Sequence, residues 1–103
     1  MPARQAVATI VASDAVTKLD ALDVLSRVTG SPVEGARTPS PRVSLGPGAW
    51  AQVDIPKFGE PPPLAIDVFV EGDESDAQRH ALALAERLRA EAGWSVLPAF
   101  AVA

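Results

Sequence analysis

The chain of 103 residues contains no cysteine, no tyrosine and a single histidine, and aromatic residues make up only 5% of it. Without cysteine there can be no disulfide, thiolate metal site, redox pair or cysteine nucleophile. The same absence fits a reducing compartment, and we expect a cytoplasmic protein. No segment approaches the ~18 consecutive apolar residues that cross a bilayer, so a membrane is not an expected partner.

Acidic residues exceed basic residues by 13 to 9, and the formal net charge is −4. A field of this sign repels phosphate backbones, so nucleic acid is not an expected partner. Hydrophobic residues make up 48% and charged residues 21% of the chain, which is typical of a globular protein. One hydrophobic core suffices at this length, and the sequence predicts a single domain over residues 1–103.

The first part of the chain predicts a strand, a helix and a long loop. Residues 7–12 form a nearly continuous apolar run, as in a strand covered on both faces. A helix follows, with Ser13 or Asp14 as its N-cap and Gly30 at its end. Its apolar stripe consists of Leu19, Leu22, Leu25 and Val28. Glycine and proline then crowd residues 31–49, which predicts a long loop in which 43–45 is the one candidate for an extended piece.

The second part of the chain predicts two strands, a helix and an edge strand. Residues 51–55 alternate between apolar and polar, residues 56–63 form a proline-rich turn, and residues 64–70 form a strongly apolar strand. Ser75 and Gln78 have the spacing of a capping box, which predicts the start of the second helix, and Gly93 is placed as its C-terminal cap. The last apolar segment contains Pro98, which cannot donate to a ladder and therefore favours an edge strand.

The predicted element order is βαββαβ. This order indicates an α+β fold of the ferredoxin-like plait type, with a four-stranded antiparallel sheet in the order 4-1-3-2 and two helices on one face. The two most apolar strands then lie in the centre of the sheet. The element order resembles that of the ACT domains and of the dimeric antibiotic-biosynthesis monooxygenases. The resemblance is one of topology and carries no residue assignment with it.

The face of this sheet that the helices leave uncovered is the first candidate for a function. The predicted strands place Trp50, Gln52, Asp54, Asp67 and Phe69 on it. Two large aromatic side chains among carboxylates form an amphipathic surface, and self-association would bury it. The alternative is that Trp50 lies under the long loop and Phe69 is simply half exposed.

Three polar groups are candidates for chemistry. His80 is the first candidate for proton transfer, because imidazole exchanges protons near neutral pH. Asp54 and Asp67 could pair across neighbouring strands for acid–base work, or remain solvated surface carboxylates. Arg37 and Arg42 lie in the predicted loop and could bind an anion, although no phosphate-binding motif accompanies them. With one histidine and no cysteine, neither a metal site nor a cofactor is expected.

Two hypotheses of function remain open. The first is a non-enzymatic binding or regulatory module that forms a homo-oligomer through the open sheet face or an edge strand, and that takes a small-molecule ligand near the long loop. The second is a small cofactor-independent enzyme of the dimeric α/β-barrel type, in which His80 or the pair of Asp54 and Asp67 transfers protons. A solid core with a self-complementary apolar surface favours the first, and a closed internal pocket with a polar group favours the second.

Overall fold

A computed structural model describes residues 5–13, 18–35, 38, 41–54 and 64–100. Within these ranges the strands are β1 (Gln5–Ala12), β2 (Val33–Glu34), β3 (Arg42–Gly46), β4 (Ala49–Asp54), β5 (Leu64–Glu71) and β6 (Val96–Pro98). The helices are α1 (Lys18–Thr29) and α2 (Glu74–Arg87), and α2 continues as a π-helical segment over Leu88–Ala92. Neither helix in this part of the chain has the length and apolar character needed to cross a membrane.

All of these strands belong to one antiparallel sheet in the order β2-β3-β4-β5-β1-β6. The predicted number of four strands is therefore wrong, because the sheet has six. The four predicted segments are the neighbours β6, β1, β5 and β4, and two additional strands extend the sheet beyond β4. The central pair of β1 and β5 is in continuous register from Gln5 opposite Glu71 to Ala12 opposite Leu64.

The two additional strands arise from the segment predicted as a long loop. Val43 pairs with Val33 on one side and with Ala51 on the other, and its side chain is fully buried. Gly46 and Gly48 have φ angles of 128° and 71°, and they lie at the turn that joins β3 to β4. The glycines that suggested a loop thus form a tight hairpin, because only glycine adopts these angles without strain.

The two helices cover one face of the sheet, and the core lies between them and that face. Along β5 the side chains of Leu64, Ile66, Val68 and Val70 are buried and alternate with half-buried neighbours. β1 alternates in the same way, and Val7 is 49% exposed on its uncovered side. The prediction that this strand is covered on both faces is therefore wrong. We call the uncovered side the open face.

The start of α2 differs from the prediction, whereas its end agrees with it. Asp73 is the N-cap, and its side chain accepts a hydrogen bond of 2.9 Å from the backbone N–H of Asp76. Asp76 in turn accepts from the backbone N–H of Asp73 at 3.5 Å, which completes a capping box two residues before the predicted one. Gly93 ends the π-helical segment with a φ of 71°, which confirms the predicted left-handed cap.

Candidate functional site

The open face carries a row of side chains that crosses the central strands. Val7 lies opposite Phe69, and Phe69 lies opposite Trp50 on the next strand. The rings of Trp50 and Phe69 are stacked, with their centroids 5.6 Å apart and their planes inclined by 10°. Such a pair adds roughly 0.5–1.5 kcal/mol beyond the burial of its area. We call Val7, Phe69 and Trp50 the aromatic row.

Arg42 closes one end of the aromatic row. Its guanidinium carbon lies 5.0 Å from the centroid of the Trp50 ring, which is a cation–π contact. Its Nε also lies 3.4 Å from a carboxylate oxygen of Glu34 on the neighbouring strand. Arg42 was predicted in a loop as a partner for an anion, and the structure places it in β3 with two partners of its own. Arg37, its predicted companion, lies outside the described residues.

The indole nitrogen of Trp50 is the one buried side-chain polar atom in the described part of the chain that has no hydrogen-bond partner. A buried donor without an acceptor costs about 1–3 kcal/mol. This N–H belongs to the aromatic row on the open face, where no described carboxylate or carbonyl reaches it.

A polar row lies beside the aromatic row. The hydroxyl of Thr9 donates a hydrogen bond of 2.6 Å to Oδ1 of Asp67 across β1 and β5. Gln52 lies opposite Asp67 on the other side. Asp54, the candidate partner of Asp67, lies opposite Ala65, so the two aspartates are not direct cross-strand neighbours. Asp67 therefore has a structural partner that the sequence did not predict.

A second apolar row lies beyond the polar one. Val11 of β1 is half-buried and lies between Ala65 of β5 and Leu97 of β6 in the register. The side chain of Leu97 is 67% exposed, and it and Val7 are the exposed large hydrophobic residues of the described chain. Apolar side chains thus border the Thr9–Asp67 bond on both sides.

His80 lies on the other side of the sheet, in α2. It lines an open groove of about 280 Å³ between the C-terminal end of α1, β3 and α2. The polar residues that line this groove are Thr29, Ser31, Ser44, His80 and Arg87, of which Ser44 directs its side chain to the open face opposite Trp50. The structure therefore does not bring His80 together with Asp67. Among the described residues no three histidine, aspartate or glutamate side chains cluster to hold a metal ion.

Sequence reasoning missed Val7, Val11 and Leu97 on the open face. The alternation of side chains along β1 was a usable signal for Val7 and Val11, because the odd-numbered residues of this strand share the open face once Ile10 is assigned to the core. Comparison of the chain with protein-family models, curated proteins and solved structures gave no match.

Proposed function

We propose that this protein is a non-enzymatic binding module that associates with a second copy of itself through the open face. The observation that carries this proposal is the exposure of Val7 and Leu97, at 49% and 67%, on a face whose centre is a stacked aromatic pair. Two apolar rows with the polar row of Thr9 and Asp67 between them form an amphipathic surface that self-association would bury. Burial of apolar area on association contributes about 25 cal/mol per Å².

The size of the face supports a weak dimer. Six strands at a spacing of about 4.8 Å, and central strands of eight residues at about 3.3 Å per residue, give a face of roughly 600 Å² at most. β2 and β6 are short, so two copies bury roughly 1,000 Å² in total. This is at the low end for specific interfaces and is typical of complexes that dissociate readily. We therefore expect dissociation in the micromolar range or weaker.

The charges on the open face favour a second copy as the occupant. Arg42, Glu34 and Glu71 line a single groove of about 320 Å³ beside Trp50, and Asp67 lies in the polar row. Both signs of charge are therefore present on one face. In a two-fold contact the same patch meets itself, so Arg42 of each copy can oppose a carboxylate of the other.

Pairing of edge strands has less support than pairing of faces. β2 has two residues and β6 has three, of which one is Pro98. Short edges that contain proline offer few backbone donors to another chain and are a usual protection against edge-to-edge association. Compared with these edges, the aromatic row offers more surface for an interface, and its rigid rings lose less side-chain entropy when they are buried.

The alternative, a cofactor-independent enzyme, also has less support. It requires a polar group that faces an enclosed cavity. His80 lines an open groove, and Asp67 accepts a hydrogen bond from Thr9 on the opposite side of the sheet. Neither His80 nor Asp67, the alternative candidates for proton transfer, therefore has the surroundings that this function requires among the described residues.

Sedimentation velocity over a range from micromolar to millimolar protein tests the proposal. We expect a reversible dimer for the wild type and a monomer for Val7→Glu and for Leu97→Glu. Both side chains are exposed, so neither substitution should disturb the core. Ala90→Glu is the control, since it adds the same charge at an exposed position of the π-helical segment. A wild type that stays monomeric at millimolar concentration, or three variants that behave alike, would contradict the proposal.

A further inference from the structure

We propose that the groove between the C-terminal end of α1, β3 and α2 binds a small ligand that carries an oxyanion, with Arg87 as its charged partner and His80 as a second donor. This site lies on the helix side of the sheet and its donors are on α2, so it does not depend on self-association through the open face. The groove has a volume of about 280 Å³. Ligand sites start at about 300 Å³, so only a small molecule fits.

The one permanently charged side chain among the described residues that line the groove is basic, and Glu91 beside the groove is its ion-pair partner. The formal net charge is −4, yet no carboxylate is among the described residues that line the groove. Arg87 is the one lining side chain with a permanent charge. Its Nε donates to Glu91 at 2.8 Å, which holds the side chain in place and leaves its two terminal nitrogens without a partner among the described residues. Those nitrogens are suited to the oxygens of an anion.

His80 is the second donor of the groove. Its ring nitrogens have no hydrogen-bond partner in the described part of the chain, although the residue is half-buried. Ser44 lies opposite Trp50 in the register, so its side chain belongs to the open face and only its backbone borders the groove. The hydroxyl of Thr29 is not available either, because it already donates to the carbonyl of Leu25 at 2.7 Å. A ligand with two or more acceptor oxygens would satisfy Arg87 and His80.

The positions of the donors indicate how the ligand is oriented. His80 and Arg87 are seven residues apart on α2, which is about 10 Å along the helix axis. The guanidinium of Arg87 is held beside Glu91, one helical turn further on, so it and His80 mark separate ends of the groove. We infer that the oxyanion binds at the Arg87 end, where the charge is, and that an uncharged acceptor of the ligand reaches His80.

A titration followed by two-dimensional ¹⁵N–¹H NMR tests this site, with inorganic phosphate and acetate as probes and sodium chloride at matched ionic strength as the reference. We expect saturable shifts of the amides of Ser44, His80 and Arg87 with phosphate. The same shifts with acetate would support the site and include carboxylates among its ligands. Shifts of equal size with chloride, or none that saturate with phosphate, would overturn it.

Two variants separate a built site from general charge attraction. Arg87→Gln should weaken the binding of phosphate about tenfold, and His80→Gln should weaken it less, because a glutamine amide still donates. Arg79→Gln is the matched control, since it removes the same charge from an exposed position of α2 that does not line the groove. An equal loss in Arg79→Gln and Arg87→Gln would overturn the proposal.

Discussion

The hydroxyl of Thr9 and the carboxylate of Asp67 are joined at 2.6 Å across the two central strands, although they lie 58 residues apart in the chain. Thr9→Val keeps the shape of the side chain and removes the donor, so we expect a loss of about 1 kcal/mol in the free energy of unfolding. Urea denaturation measures it. A double-mutant cycle with Asp67→Ala should give a coupling energy of similar size. Additive effects would mean that the hydroxyl and the carboxylate do not interact in solution.

The capping box of α2 provides a second prediction. Asp73→Ala removes the acceptor for the backbone N–H of Asp76 and should cost about 1 kcal/mol. Ser75→Ala is the control, because Ser75 is already inside the helix and its replacement should be nearly neutral. Thermal or urea unfolding of the two variants decides between Asp73 and Ser75 as the N-cap. A larger loss for Ser75→Ala would contradict the observed start of the helix.

The centre of the core should respond strongly to truncation. Ile66 is fully buried and lies opposite Ile10 on β1 and Val53 on β4. Ile66→Ala should cost about 2–5 kcal/mol, because it leaves a cavity between the sheet and the helices that the packed core cannot fully close. Ile66→Val removes a single methylene and should cost about 0.5–1.5 kcal/mol. Equal losses in the two variants, measured by chemical denaturation, would mean that the site is not closely packed.

The hairpin between β3 and β4 depends on a backbone conformation. Gly48 has a φ of 71°, and a Cβ added there would lie 3.6 Å from the nearest atoms of Glu71, which is ordinary contact. The cost of Gly48→Ala is therefore conformational, about 1–2 kcal/mol. Gly48→Asn should cost less, because asparagine tolerates the left-handed region. Urea unfolding measures the free energy of unfolding of both variants. A larger loss for Gly48→Asn than for Gly48→Ala would contradict this account.

The last prediction concerns the indole N–H of Trp50, which has no hydrogen-bond partner among the described residues. Trp50→Phe preserves an aromatic partner for Phe69 and removes the buried N–H donor. The stabilisation lost with the smaller buried ring and the desolvation penalty removed with the N–H should nearly cancel. We expect a change within about 1 kcal/mol in the free energy of unfolding of the monomer. Circular dichroism during denaturation measures it. A loss well above that value would show that the indole N–H is hydrogen-bonded in solution.

The central part of the fold was predictable because its signals are local and strong. Residues 64–70 alternate around a buried stripe, and the actual strand β5 extends this segment by a single residue to Glu71. Gly93 adopts the left-handed angle that its position after a helical stripe predicts. β6 lies at the edge of the sheet, where Pro98 removes no ladder hydrogen bond that the core needs.

The additional strands were not predictable in the same way. β2 has two residues and β3 has five, and strands of this length show too little alternation to stand out against the surrounding glycine and proline. Their pairing depends on Val33 and Val43 meeting across the sheet and under α1, which is a tertiary contact. The capping box was misplaced because aspartate and serine are nearly equal N-caps, and the sequence offered both.

The candidate site was predictable in part. Trp50 and Phe69 share a face whenever residues 51–55 and 64–70 form neighbouring strands, since the parity of each strand assigns them to the same side. That their rings stack depends on the register, which pairs the two residues directly. The groove at His80 depends on how α1, β3 and α2 pack, and no local pattern encodes that arrangement.

The pairing of β1 with β5 also determines the order in which this protein can fold. Each of the eight register pairs between these strands joins residues that lie more than fifty positions apart. β3 and β4, by contrast, are joined by a two-residue turn and can meet early. A long loop must close before β1 and β5 make any contact, and closing it costs chain entropy. The β1–β5 ladder therefore forms slowly for a chain of this size. Refolding in milliseconds to seconds, with the β3–β4 hairpin formed before the β1–β5 ladder, is the kinetic consequence of this topology.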